Sequence, residues 1–160
     1  MAQIFPLTIV LDNIRSAYNV GAILRVAECA GLTEVITCGY TPSAGHPKVK
    51  KTSLDAENLV ETRHFTDLNS ALTTLTQEGL HLYALESGKN TQSLWEIELP
   101  RVATAIIFGN EVEGIQLDIL KQFTVPLVQI PMYGQKESLN VSTAMAIASY
   151  DIIKRWSTIT

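Results

Sequence analysis

The chain lacks most of what would mark a metal, redox or secreted protein. It holds only two cysteines, Cys29 and Cys38, and they form no CxxC pair, which gives no sign of a disulfide framework or a thiolate metal site. Cys29 falls in a helical pattern and Cys38 in a strand pattern. Both are expected to be buried free thiols, as suits a reducing compartment. The three histidines, His46, His64 and His81, are scattered without ligand spacing, so no metal is expected. No basic segment opens the chain, and no run approaches the ~20 apolar residues of a membrane span. The expected location is the cytoplasm. An excess of positive charge is lacking too. The 16 acidic residues outnumber the 12 basic ones, for a net charge of −4, a balance that by itself argues against nucleic-acid binding. GxGxxG, a P-loop Lys-Ser or Lys-Thr and GxSxG are all absent, which sets aside the dinucleotide, NTPase and hydrolase fingerprints. No repeat or low-complexity linker interrupts the sequence, and one domain over residues 1–160 is expected.

What is present is an alternation of short apolar runs with helical patterns. Leu7–Leu11, Val35–Cys38, Leu80–Leu85, Ala103–Phe108 and Leu127–Ile130 are rich in Val and Ile and do not alternate with polar residues. Strands buried on both faces read this way. Leu59–Phe65 is a weaker strand candidate. Helices are expected from an Asn19 cap to Ala30, from Asp67 to Gln77, from Gly114 to Gln122, and from Ser138 to about Trp156. The resulting fold class is α/β, a parallel sheet with helices on both faces. Thr41–Lys51 reads as the most loop-like segment, with its basic residues exposed. Charge is uneven: from Asn13 to Lys51, five cations (Arg15, Arg25, Lys48, Lys50, Lys51) meet two acids, Glu28 and Glu34.

Ligands of open parallel sheets bind past the carboxyl ends of the strands. Asp12-Asn13, Glu86-Ser87-Gly88, Gly109-Asn110-Glu111 and Pro131-Met132 all fall at such ends. Asn19 is a good cap that could equally offer its amide to a ligand. Gly21, early in a helix, calls for a packing or close-approach reason. Arg25 reads either as a surface arginine with its stem on the helix or as a site residue. Phe108-Gly109-Asn110-Glu111 reads either as a plain strand-to-helix turn or as a place where backbone meets a ligand. In the last quarter, Ser138 and Asn140 are both candidate caps of a helix dense in small side chains, whose start offers free N–H groups.

Taken in order, Asn19-x-Gly21-Ala22-x-x-Arg25, Phe108-Gly109-Asn110-Glu111-x-x-Gly114 and Ile130-Pro131-Met132 with Ser138-Leu139-Asn140-Val141-Ser142 resemble the motifs of the SpoU (TrmH-like) branch of the SPOUT methyltransferases. His46-Pro47-Lys48-Val49-x-Lys51-Thr52 also resembles a segment of that branch. The resemblance covers nearly the whole chain. It implies a C-terminal deep trefoil knot, a homodimer, S-adenosylmethionine as cofactor, and methylation of a ribose 2′-hydroxyl of tRNA or rRNA. It further implies a cofactor pocket formed by Leu85, Glu86, Gly109, Ile130, Met132 and Leu139, largely through backbone atoms. Arg25, Asn19, Glu111, Ser138 and Asn140 would surround the target ribose. A guanidinium, with a pKa above ~12, is a poor base; Arg25 is expected to hold a phosphate and steady the developing alkoxide, oriented by Asn19 and Glu111. With the core beginning almost at Met1, the core dimer itself would grip RNA, with Arg15, His46, Lys48, Lys50, Lys51 and Arg63 as candidate phosphate contacts. The competing readings are a knotted methyltransferase acting on a ring nitrogen and an RNA-binding module without catalysis. A receiver-like signalling domain, suggested only by Asp12, lacks the later acceptor aspartate and lysine.

Overall fold

The structure, a computed structural model, describes residues 3–158. Its centre is a sheet of seven parallel strands in the order β3-β2-β1-β6-β4-β7-β5. The strands are β1 (Phe5–Asp12), β2 (Leu32–Cys38), β3 (Glu61–Phe65), β4 (His81–Leu85), β5 (Gln92–Ser93), β6 (Thr104–Phe108) and β7 (Leu127–Gln129). The helices are α1 (Ala17–Cys29), α2 (Pro47–Ser53), α3 (Leu68–Gln77), α4 (Leu117–Gln122) and α5 (Val141–Ser157). The chain winds outward from β1 to β3, returns to lay down β4, and later fills the gap between β1 and β4 with β6. Strand order reverses at that point, and a crevice opens there beyond the carboxyl ends.

The continuous apolar runs follow from burial on both faces. Leu7, Ile9, Leu11, Ile106 and Phe108 pack under α1 and α5, whereas Val10, Ile36, Ala105 and Ile107 pack under α3 and α4. Successive side chains of a strand point to opposite faces, so β1 and β6 feed both cores. Each of the larger of these side chains contributes roughly 1.5–3 kcal/mol of transfer free energy. Cys38 lies in the second core and Cys29 is exposed, so the expectation of two buried thiols holds for one. Cys29 sits in the last turn of α1, past the final core contact of that helix at Ala27. None of the described helices is long and apolar enough to cross a membrane.

The helix starts differ from expectation in an instructive way. Ser16, not Asn19, caps α1: its hydroxyl accepts the Asn19 backbone N–H at 3.2 Å. The Asn19 side chain, released from capping, is free to reach elsewhere. Likewise α5 begins at Val141 rather than Ser138. Asn140 caps it by accepting from the N–H groups of Ser142 and Thr143 at 2.9 and 3.4 Å. The short α4 starts at Leu117, not Gly114. Part of the presumed loop Thr41–Lys51 is helix α2. His46 caps it by accepting from the Lys48 N–H, and Pro47 suits its first turn. Val49 alone of its apolar residues is buried, and Lys48, Lys50 and Lys51 remain exposed. A Cβ on Gly21 would lie 2.3 Å from the Val49 carbonyl. That close packing of α1 on α2 is the reason for glycine there. The weak strand candidate is real, as edge strand β3, while the two-residue β5 is too short and polar to leave an apolar pattern.

Candidate functional site

A cavity of about 360 Å³ opens where the carboxyl ends of β4, β6 and β7 meet the start of α5. Leu85 and Glu86 enter it from β4, Gly109 from β6, and Ile130 and Met132 from the segment after β7. Leu139 closes it from the loop before α5. All six residues expected to form a ligand pocket thus share one wall. The volume falls within the roughly 300–1,000 Å³ of small-molecule sites.

Two of those residues also shape the wall itself. The Glu86 carboxylate accepts the N–H of Ile115 and that of Ser87, both at 3.1 Å. It thereby ties the turn after β6 to the end of β4. A Cβ on Gly109 would meet Ile115 at 2.4 Å, so glycine is needed there for the turn to fold back. Within the turn, the Gly114 N–H donates to the Asn110 carbonyl at 2.9 Å, with Gly114 at φ +70°. The Asn110 side-chain oxygen accepts the N–H groups of Val112 and Glu113, each at 2.8 Å.

At the rim a chain of side chains joins three segments. Asn140 Nδ2 donates to Asn19 Oδ1 at 3.2 Å, and Asn19 Nδ2 donates to Glu111 Oε1 at 3.3 Å. The second Glu111 oxygen accepts the Arg15 backbone N–H at 3.2 Å. Asn140 therefore caps α5 with its oxygen and holds Asn19 with its nitrogen. Ser138 lines the cavity from the same side, exposed to solvent.

Arg25 is not gathered into this cluster. It is exposed on α1, six residues and therefore about 9 Å along the axis beyond Asn19. Among the described residues it makes no ion pair, and it does not line the cavity. Of the candidate phosphate contacts, Arg15 stands at the rim beside Glu111, and the three lysines form the exposed side of α2. The His46 imidazole is used as the α2 cap. Arg63 leaves the set: its guanidinium donates to Glu34 at 2.8 Å and to Glu78 at 2.7 Å. Two acids distant in sequence thus neutralise it at the β3 edge. No sequence pattern marks the roles of Arg155 and Trp156 of α5. They donate to the carbonyls of Leu94, Ile97 and Leu99, clasping the segment before β6. On the opposite face, burial and then the neighbouring Asp67 push the Asp12 carboxyl up to about 6.

The SpoU rRNA Methylase family model matches residues 6–150. The 23S rRNA (guanosine-2′-O-)-methyltransferase RlmB of Xanthomonas axonopodis pv. citri is 32% identical over 149 residues, 93% of this chain and 59% of that protein. The chain thus spans about three fifths of that relative's length. Among solved structures, one described as giving structural insights into the 2-OH methylation of C/U34 on tRNA superposes with a TM-score of 0.82. It is 25% identical, covering 94% of this chain and 96% of that one. The SpoU methyltransferase AviRb of Streptomyces viridochromogenes, in complex with AdoMet, has a TM-score of 0.86 at 19% identity, covering 99% of this chain and 63% of that one; that likeness speaks for the fold alone. The family-wide match over residues 6–150 and the likeness to RlmB lead to a single assignment: the chain belongs to the SpoU rRNA Methylase family.

Proposed function

We propose that this protein transfers a methyl group from S-adenosylmethionine to a ribose 2′-hydroxyl of tRNA or rRNA. The observation that carries the reading is the joining of the 360 Å³ cavity to the Asn140–Asn19–Glu111 chain at its mouth. The donor set fits the cofactor. Leu85, Ile130, Met132 and Leu139 offer apolar surface to an adenosine, and Gly109, with no side chain, lets the main chain come close to it. When bound, S-adenosylmethionine supplies a methyl group made electrophilic by its sulfonium.

The chain's own residues orient the acceptor oxygen and manage its proton. Asn140 and Asn19 fix the Glu111 carboxylate at the cavity mouth. Arg25 supplies a permanent positive charge for a phosphate and the developing alkoxide, and Ser138 offers a hydroxyl beside it. Because Arg25 lies outside the lining of its own chain's cavity, the reading requires a homodimer in which Arg25 of each copy serves the cavity of the other. Tyr18 on α1, with Ile147 and Tyr150 on α5, are 48%, 37% and 50% exposed on two packed helices, and this apolar face suits a second copy. Arg15, Lys48, Lys50 and Lys51 take RNA phosphates.

The reading also carries one domain over residues 1–160, a cytoplasmic setting and a trefoil knot at the C-terminal part. The knot is supported by the late insertion of β6 and by the clasp of Arg155 and Trp156 on residues 94–99. Calorimetry with S-adenosylmethionine, followed by transfer of a labelled methyl to total tRNA and rRNA, tests the function. Product that resists alkaline cleavage at the modified site marks ribose methylation. Alkali-labile product marks a ring nitrogen, and cofactor binding without transfer to any RNA overturns catalysis.

A further inference from the structure

Tyr40 follows β2 and is 59% exposed, yet it is held at both ends. Its backbone N–H donates to Asn13 Oδ1 at 3.2 Å. Its hydroxyl oxygen accepts from Asn110 Nδ2 at 2.7 Å. The remaining Asn110 amide hydrogen goes to the Asn13 carbonyl at 2.9 Å. The orientation of that amide is fixed, because its oxygen already accepts two backbone N–H groups. The phenolic oxygen is therefore an acceptor toward Asn110, and among the described residues no group accepts its own proton. Asn13 itself sits at φ 53°, a left-handed conformation rare for a residue with a side chain. A Cβ on Gly39 would lie 2.0 Å from Asn13 Oδ1. Four residues are thus interlocked to fix one exposed ring.

Asn110 lines the cavity, which places the Tyr40 hydroxyl one side chain from the site. Arg15, two residues beyond Asn13, lies on the same rim. An exposed aromatic ring that the protein pins rather than covers, on the same rim as an arginine that makes no ion pair among the described residues, suits a base and its phosphate. An aromatic face stacks any nucleobase, and holding the ring in advance lowers the ordering cost of binding. In an A-form duplex the base faces are covered by their neighbours, so a protruding ring reaches only an unpaired base.

We propose that Tyr40 is a stacking platform for an unpaired nucleobase next to the target nucleotide, which makes single-stranded RNA the substrate class of this site. The inference rests on the RNA-modifying reading above. Tyr40 stacks the base and donates its hydroxyl proton to a base or phosphate oxygen, and Arg15 takes the adjoining phosphate. None of the residues that line the cavity changes in the test variants.

The test measures binding of a single-stranded 12-mer RNA carrying one 2-aminopurine, and of the same RNA annealed to its complement, by fluorescence quenching and anisotropy with S-adenosylhomocysteine present. Tyr40→Ala is expected to bind the single strand roughly tenfold more weakly and to lose most of the quenching. Tyr40→Phe keeps the quenching within about threefold of the parent, because the ring remains. Both variants keep parental affinity for S-adenosylhomocysteine and for the duplex. Equal single-strand binding by Tyr40→Ala and the parent overturns the platform, as does a parent that prefers the duplex or binds neither RNA. A Tyr40→Ala that loses S-adenosylhomocysteine affinity as well points to a structural role and overturns it too. Methyl transfer to total tRNA and rRNA is scored separately, so failure of catalysis in the parent is read apart from the stacking result.

Discussion

The two helical layers that sandwich the sheet differ in what they show to the outside. On α3 the outward residues are Thr73, Thr76 and Gln77, all polar, and its apolar residues Leu68, Ala71, Leu72 and Leu75 are buried; on the short α4 beside it Leu117 is 49% exposed. On the α1/α5 side the outward residues include Tyr18, Ile147 and Tyr150, and Arg25 stands among them without a counter-ion among the described residues. Helix α3 is finished against water. The second layer, which also borders the cavity, leaves two tyrosines and an isoleucine partly exposed. The difference teaches that the layer bordering the cavity is also the one that leaves tyrosines and an isoleucine partly exposed, and under the proposed homodimer site and assembly would share that face.

The comparison breaks most visibly if the α1/α5 face is charged. Ile147→Asp with Tyr150→Asp is expected to give a monomer by sedimentation, with methyl transfer falling at least roughly 100-fold while each cavity still binds cofactor. A variant that stays dimeric and active would mean that this layer is an ordinary surface. The next largest effect separates capping from the site. Asn140→Asp keeps a cap oxygen for α5 but loses the amide that holds Asn19. Thermal stability is expected to stay close to the parent while turnover drops about 10–100-fold, whereas Asn140→Ala also loses about 1 kcal/mol of cap.

Smaller effects sharpen the contrast between free and paired cations. Replacing Lys48, Lys50 and Lys51 with Ala is expected to lower the salt dependence of RNA affinity by as much as about 2 in slope. Arg63→Ala should leave that slope unchanged, because Glu34 and Glu78 already occupy its guanidinium. The smallest effect lies on the α3 side. Below its ordinary value of 3.8, Asp12 is protonated whether the chain is folded or not. Above about 6 the folded protein must keep a carboxylate largely out of water beside Asp67, so this group takes away stability as pH rises between the two values. Asp12→Asn is expected to stabilise the protein by about 1–2 kcal/mol at pH 7.5 and by little at pH 3.5, as read by urea unfolding.

The layers also differ in how far the amino-acid sequence announces them. β1 and β6 were plain, because burial on two faces writes an unbroken apolar run. Motif resemblance alone names the six cavity residues together; Glu86, Gly109 and Met132 also stand at strand ends, and the structure brings all six to one cavity. What stayed hidden depends on partners far along the chain. Arg63 looks like any surface arginine until Glu34 and Glu78 are folded against it. Helix α2 hides behind proline and three lysines, because a single buried valine secures it and leaves no periodic stripe. Asn19 looks like a cap because local pattern cannot show that Ser16 has taken that role. β5 is two polar residues joined by main-chain bonds, which no side-chain pattern records.

The place of β6 has a bearing on how a cell makes this protein. A ribosome delivers β1 to β4 before the strand that must lie between two of them, so the earlier strands emerge with an open seam. That seam exposes the unpaired edges of β1 and β4, and β6 must enter after both are built. Sequence-distant pairing of this kind is slow and prone to mispairing. The nascent chain should therefore become protease-resistant late and abruptly, once β6 has left the exit tunnel, rather than segment by segment as it emerges.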